Sequence, residues 1–329
     1  MSVVTAETTL RFKDEVTAAI RRDSRVALVV NTKSRRGARA YRHVGRLLAE
    51  QGVRLQADLP VTDPATGLLP TIERALSLDP DLLILGGGDG SMASAADLLG
   101  SVDVALGVLP LGTTNNFARS LGLPLTLSGA VRTIATGKVA DVDLGRVVYA
   151  DGHTDLFCNL ASLGLSVEVA HRVPHRLKRV LGRAAYPLTA LTILPEHHAF
   201  RATVSWTGAD GSAHAQTFWT HQLNIANGRS HAGRPIARDA SIDDGKLVVY
   251  RLGGRERSKL SRATVEQVVL GPHRDLAMTP FVVVPEVRVE TDRPLGVDVD
   301  GEVHGSTPVT ISCAPQALRV VMPQAFVDR

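Results

Sequence analysis

The first 136 residues alternate short, wholly apolar runs with longer amphipathic stretches. Val26–Val30, Val53–Leu59, Leu82–Leu85 and Val104–Val108 are too short for helices and read as strands. Arg11–Arg22 places Phe12, Val16 and Ile20 on one helical face, and Ala38–Gln51, Thr71–Leu78 and Met92–Leu99 also read as helices. Strands alternating with helices predict a parallel sheet wrapped by helices. Beyond Thr136 the pattern turns to β-type runs: Val142–Val148, Leu156–Leu160, Ala202–Trp206, Thr217–Ile225, Lys246–Tyr250, Val282–Glu290 and Val309–Cys313. Asp151-Gly152, Asp210-Gly211 and Asp244-Gly245 supply turns between them. This part is expected to be a mainly antiparallel β-sandwich, with helical inserts near 171–194 and 257–270. A last apolar strand, Leu318–Met322, has no partner that periodicity can assign. The expected division is an α/β domain over 1–138 and a β-sandwich over 139–317, after a frayed terminus at 1–8.

Composition narrows the class. A chain of 329 residues with 44% hydrophobic and 21% charged residues suits two packed domains. Cys158 and Cys313 lie far apart in apolar runs, as reduced core residues of a cytosolic protein would. No apolar run approaches the ~20 residues of a membrane span, and no signal-peptide core opens the chain. The net charge of +4 is mild, so its distribution matters more than its size. In the acid-free segment 171–183, Arg172, Arg176, Arg179 and Arg183 follow helical spacing beside an apolar stripe of Val173, Leu177, Val180 and Leu181. Such a helix either lies on an anionic membrane surface or packs its stripe on the sandwich with its cations in water. Nucleic acid is a poor partner: aromatics make up 4% of the chain and no stacking platform is visible.

Three predicted strands end in polar, glycine-containing loops: Asn31–Gly37, Gly86–Ser91 and Gly112–Asn116. In a parallel sheet all three face the side where ligands bind, beyond the carboxyl ends of the strands. Strand, glycine turn and helix present backbone N–H groups to phosphate, and glycine there permits close approach or a positive φ. The candidate phosphate-binding residues are Asn31, Lys33, Ser34 and Gly37; Gly86, Gly87, Gly88, Gly90 and Ser91; and Gly112, Thr113, Thr114, Asn115 and Asn116. Asp89, among the glycines, is suited to cap the helix that follows.

Gly87-Gly88-Asp89-Gly90-Ser91 and Pro110-Leu111-Gly112-Thr113-Thr114-Asn115-Asn116 resemble signatures of the diacylglycerol kinase catalytic-domain family, which includes bacterial lipid kinases and is related to sphingosine and ceramide kinases. Asn31-Thr32-Lys33-Ser34 with Gly37, Asn227-Gly228, Asp239-Ala240-Ser241-Ile242-Asp243-Asp244-Gly245 and Asp300-Gly301-Glu302 follow in the family's order, so the resemblance covers nearly the whole chain. It implies an ATP-binding α/β domain, a β-sandwich lipid-substrate domain, and a C-terminal strand (318–329) returning to the first. It also implies an ATP- and Mg²⁺-dependent lipid kinase, with diacylglycerol as the leading substrate and phosphatidic acid as product. On that reading Glu302 is the general base, Asp300 supports it or contacts Mg²⁺, Asp89 serves the metal, and Asp244 ties down a metal or a hairpin. Strand alternation would put Asp298, Asp300 and Glu302 on one face. The chain departs from the family where Asn116 replaces Asp and Ser94 replaces Glu. The alternatives are a soluble NAD-kinase-like enzyme, or a catalytically weak nucleotide- and lipid-binding regulator. The expected location is cytoplasmic, peripheral to the inner face of the membrane, with a homodimer as one option.

Overall fold

The computed structural model describes residues 11–23, 25–62, 67–100, 102–173, 189, 192–193, 196–228, 230–231, 234–235, 241–254 and 281–327. The chain forms two units, Met1–Asp143 with Gln316–Arg329 and Leu144–Pro315. In order, the first holds α1 (Lys13–Asp23), β1 (Val26–Asn31), α2 (Arg35–Glu50), β2 (Ala57–Val61), α3 (Leu68–Leu76), β3 (Leu82–Gly87), α4 (Asp89–Leu99), β4 (Ala105–Pro110), α5 (Asn116–Ser120) and α6 (Leu127–Thr136). Its sheet is parallel throughout, in the order β2-β1-β3-β4, and the end of the final strand Val309–Met322 is added beside β4 through Val320 and Leu106. β3 and β4 are buried at every position. Helices on both faces of a parallel sheet demand this, which explains runs that are apolar at consecutive rather than alternate residues.

Helix α1 starts two residues later than the expected Arg11. Phe12 sits just before it, 79% exposed, with its N–H donating to the Glu15 carboxylate in half of a capping box. The buried face is carried by Val16 and Ala19 instead. The short α5 and the Thr126-capped α6 were not predicted as separate helices.

At the start of β3, the wholly buried carboxylate of Asp81 receives Arg11 Nη1 at 2.6 Å and Arg25 Nη2 at 2.7 Å. Arg11 also pairs with Asp103, and Arg319 of the final strand reaches Asp103 and Asp141. Burial opposes ionisation of Asp81, but the hydrogen bonds and charges of Arg25 and Arg11 outweigh it and hold the carboxyl below its ordinary value.

The second unit takes up β5 (Lys138–Tyr149), which begins in the first, then β6 (Thr154–Phe157), β7 (Leu160–Gly164), α7 (Leu165–Arg172), β8 (Phe200–Thr207), β9 (Ala213–Thr220), β10 (Gln222–Asn227), β11 (Ser230–His231), β12 (Arg234–Pro235), β13 (Leu247–Leu252), β14 (Val282–Val284), β15 (Glu286–Thr291), β16 (Gly296–Val299), β17 (Glu302–Ser306) and β18 (Val309–Met322), which ends in the first. One antiparallel sheet runs β14-β13-β10-β7-β16-β17. A second joins β18, β15, β8 and β9, also antiparallel. Leu163, Phe200, Val204, Ile225, Val249 and Val287 from the two sheets share one core.

Five predicted strands are corrected. Leu156–Leu160 divides after Phe157 between β6 in one sheet and β7 in the other. Thr217–Ile225 is not one strand: the chain leaves β9 at Thr220 and enters β10, in the other sheet, at Gln222. Buried His221 makes the crossing, its N–H donating to the Leu252 carbonyl. Val282–Glu290 likewise divides between the two sheets at Pro285, which has no N–H for a ladder. Conversely, Val309–Cys313 and Leu318–Met322 are parts of a single strand, β18, bent at Gln316, where φ is 53° and the N–H donates to Asp143. The helix expected at 257–270 and most of that at 171–194 lie outside the described residues. Among the described residues, no helix is long and apolar enough to cross a membrane.

The Asp81 pairs predict an acid sensitivity. A carboxyl held below its ordinary value of 3.8 contributes stability above that value, and the contribution is lost as pH falls through the folded pKa. Asp81→Asn should cost about 1–3 kcal/mol at neutral pH, since the arginines keep partial solvent access, and should flatten the acid limb of stability measured by urea unfolding.

Candidate active site

The carboxyl ends of β1, β3 and β4 run into three loops that touch. Asn31 Nδ2 donates to Ser91 Oγ at 3.3 Å, and Asn31 Oδ1 accepts the N–H of exposed Lys33 at 3.2 Å. Ser34 caps α2, its hydroxyl accepting the Gly37 N–H at 2.9 Å. A Cβ on Gly37 would lie 2.0 Å from the Asn31 carbonyl oxygen. Gly88 and Gly112 meet backbone to backbone: a Cβ on Gly112 would sit 2.5 Å from Gly88 Cα, and one on Gly88 3.0 Å from Gly112 Cα. A Cβ on Gly87 would strike Ser91, and one on Gly86 would press on Leu111 and Val30. None of Gly86, Gly87, Gly88 and Gly90 has a positive φ. Close packing demands glycine at the first three, whereas Gly90, on α4, has open space around it.

Asp89 opens α4 without capping it, for the N-cap is Gly88 and no side chain serves there. Its Oδ1 accepts the Phe117 N–H at 3.1 Å and ties the glycine loop to the start of α5. Asn115, expected to meet the nucleotide, is buried with φ 51° and folds its amide back on its own loop. Its Oδ1 accepts the Gly112 N–H at 2.9 Å, and its Nδ2 donates to the Pro110 and Gly112 carbonyls. It shapes the loop from within. Thr113 is exposed, and Thr114 and Asn116 are half-buried. Ser94, at the second family departure, returns its hydroxyl to the Gly90 carbonyl at 2.8 Å. Arg36, a cation that motif reading passed over, donates to the Gly112 carbonyl at 3.0 Å. The three touching loops thus bring backbone groups, hydroxyls, Lys33, Arg36 and Asp89 to the carboxyl ends of neighbouring strands, a chemistry suited to phosphate.

In the second unit, the β16–β17 hairpin turns at Asp300 and Gly301, with φ 51° and 105°. The Asp300 carboxylate accepts the N–H groups of Cys158 at 2.7 Å, Asn159 at 3.1 Å and Leu160 at 3.0 Å. Burial pushes its carboxyl up to about 7, against the pull of these donors. Asn227 holds the same segment, its Nδ2 donating to the Cys158 carbonyl at 3.3 Å. The Cys158–Leu160 segment carries no recognisable spacing, so its role was not legible beforehand. The common face expected for Asp298, Asp300 and Glu302 is not formed, because β16 ends at Val299 and the turn redirects the chain. Asp298 is buried and accepts the Gly301 N–H, Asp300 is enclosed by the Cys158–Leu160 amides, and the Glu302 side chain projects, 78% exposed. Asp244 closes the turn before β13, each of its oxygens accepting a backbone N–H at 3.0 Å, from Ser241 and Lys246. Asp239, Ala240 and most of the basic segment 171–183 lie outside the described residues. Among the described residues, no cluster of three or more His, Cys, Asp or Glu is arranged to hold a metal ion.

Residues 25–147 match the family model "Diacylglycerol kinase catalytic domain", and residues 159–322 match "YegS C-terminal NAD kinase beta sandwich-like domain". A Pseudomonas aeruginosa protein named "Probable lipid kinase YegS-like" is 34% identical over 259 residues, which cover 77% of this chain and 80% of that one. This chain belongs to the diacylglycerol kinase-like lipid kinases. A Bacillus subtilis protein named "Diacylglycerol kinase" is 28% identical over 76% of this lipid kinase and 80% of its own length. The crystal structure of a diacylglycerol kinase from Bacillus anthracis str. Sterne shares its fold, with TM-score 0.69 and 23% identity over 92% of this chain and 98% of that one.

The glycine contacts in this lipid kinase predict unequal tolerance. Gly112→Ala and Gly88→Ala should each cost about 1–3 kcal/mol, because backbone must move to admit the methyl group. Gly90→Ala should be neutral or stabilising by up to about 1 kcal/mol, as alanine favours a helix. Thermal and urea unfolding of the three variants would check this ranking.

Proposed function

We propose that this lipid kinase transfers the γ-phosphoryl group of ATP to a hydroxyl of a membrane lipid, with diacylglycerol the leading substrate and phosphatidic acid the product. The supporting observation is the Gly88–Gly112 backbone contact, which assembles two loops about Asp89 with no side chain between them. Phosphate groups held there would meet backbone N–H groups, Ser91 and Thr113 hydroxyls, and the charges of Lys33 and Arg36. The site also fits a hard cation: Asp89 is a carboxylate placed among phosphate-binding loops, and Mg²⁺ ordinarily takes one or two protein carboxylates together with phosphate oxygens. Bound Mg²⁺ would supply charge neutralisation across the β- and γ-phosphates. Asp244 and Asp300 spend their oxygens on backbone N–H groups and are assigned to their turns.

In the transfer, the lipid hydroxyl oxygen bonds to the γ-phosphorus as the bond from that phosphorus to the bridging oxygen breaks and ADP leaves. The hydroxyl proton passes to Glu302, whose carboxylate is exposed where Asp300 is not. The substrate's insolubility in water places the enzyme at the membrane, peripherally on the cytoplasmic face, with the basic segment 171–183 toward anionic headgroups.

The test is phosphate transfer from labelled ATP–Mg²⁺ to a panel of lipids in anionic vesicles, with NAD as a soluble control. Labelled phosphatidic acid is the expected product. Asp89→Asn and Glu302→Ala should each lower kcat by about 10²–10⁴. Transfer to NAD without vesicles would replace this reading with the NAD-kinase-like one. Full turnover by Glu302→Ala would remove the glutamate as base.

A further inference from the structure

Glu302 has a neighbour that the sequence motif does not include. His304 places Nδ1 3.0 Å from Asp155 Oδ2 and Nε2 3.4 Å from Glu302 Oε2, so one imidazole spans a carboxylate that is 8% exposed and one that is 78% exposed. Several features of the fold build this arrangement. The β16–β17 register slips: Asp298 faces Val303 while Val297 faces Gly305, and His304 is the residue left over. A bulge of this kind turns a side chain out of the strand's alternation and is common beside active sites. The next residue, Gly305, admits the Tyr149 ring, which would lie 2.5 Å from a Cβ there. Burial and the neighbouring Asp155 carboxylate keep the Tyr149 hydroxyl protonated, and His153 Nε2 approaches Asp155 Oδ1 at 3.1 Å. Burial opposes ionisation of Asp155, but neighbouring Tyr149 and the charges of His304 and His153 outweigh it and hold the carboxyl below its ordinary value. The anchor is therefore a fixed anion.

We propose that His304 is a positioning residue for Glu302: anchored by Asp155 through Nδ1, it offers Nε2–H to the Glu302 carboxylate and holds that carboxylate in the orientation that accepts the lipid hydroxyl proton. This rests on the reading of Glu302 as the base. Ion pairing of Nδ1 with Asp155 while Nε2–H donates to Glu302 requires the doubly protonated ring. The groups facing His304 are Asp155 from β6 and Glu302 from its own strand, while Tyr149 of β5, His153 and Asp151 surround the anchor. Partial burial disfavours the imidazolium, but the bonds and charges of Asp155 and Glu302 outweigh it and raise the pKa above 6.5. As pH rises through that raised value, the ring loses one of its two donors and Glu302 loses its tether.

The test uses the full chain with lipid vesicles, following kcat and the KM for ATP from about pH 6 to 9. His304→Ala should lower kcat by about 10- to 100-fold and leave the KM for ATP unchanged. His304→Gln, whose amide can replace the Nε2–H donor, should recover part of kcat but lose the alkaline limb due to the imidazolium. A readout free of turnover is the His304 ring titration by NMR, which should move to lower pH in Glu302→Gln. Wild-type kcat and pH profile in His304→Ala, with Glu302→Gln inactive, would overturn the positioning role and leave the base intact. Full turnover by Glu302→Gln would overturn the base assignment and this role with it. An unmoved His304 titration in Glu302→Gln would show that the two side chains do not meet.

Discussion

Gly88 and Gly112 approach so closely that neither position has room for a methyl group, and the candidate phosphate site of the first unit depends on that contact. They follow adjacent parallel strands, β3 and β4, whose backbones are about 4.8 Å apart. Side chains on the departing loops would push them apart. With hydrogen atoms alone between them, the loops stay together, Asp89 reaches the Phe117 N–H, and Arg36 reaches the Gly112 carbonyl. Asn115 completes the loop by turning its amide inward. Much of the motif is thus devoted to bringing backbone to backbone, and fewer of its residues are left to touch a ligand.

The second unit relies on a different constraint. Asp300, in left-handed conformation, gathers three consecutive N–H groups of the Cys158–Leu160 segment. Those donors lead into β7, which begins at Leu160, and a carboxylate offsets the cost of burying them. The same anchoring sets the hairpin at a bend that leaves Glu302 projecting. Asp300 and Glu302 are two positions apart in sequence and opposite in circumstance, one enclosed and one in water.

The fold class was legible because its signal is redundant. A parallel sheet covered by helices needs consecutive apolar residues, a sandwich needs alternation, and the change of period near Thr136 separates them. What misled the reading was continuity. Thr217–Ile225 and Val282–Glu290 look unbroken, yet a buried histidine and a proline carry the chain from one sheet to the other. β18 looks broken at Pro315-Gln316, yet one strand passes through the bend. Apolar composition reports burial on a face and is silent about which sheet supplies that face.

The sequence by itself determined the two architectures, the three phosphate-type loops at strand ends, and the family, because local period and short glycine motifs are written in neighbouring residues. Tertiary structure alone decided that Asn115 faces inward, that Asp89 caps α5 rather than α4, and that Asp298, Asp300 and Glu302 part company. It alone joined His304 to Asp155, far apart in sequence, through a bulge that no spacing rule anticipates. The physical reason is common to all of these. Each depends on which backbone N–H or side chain a distant segment brings within hydrogen-bonding reach, and that is fixed by packing.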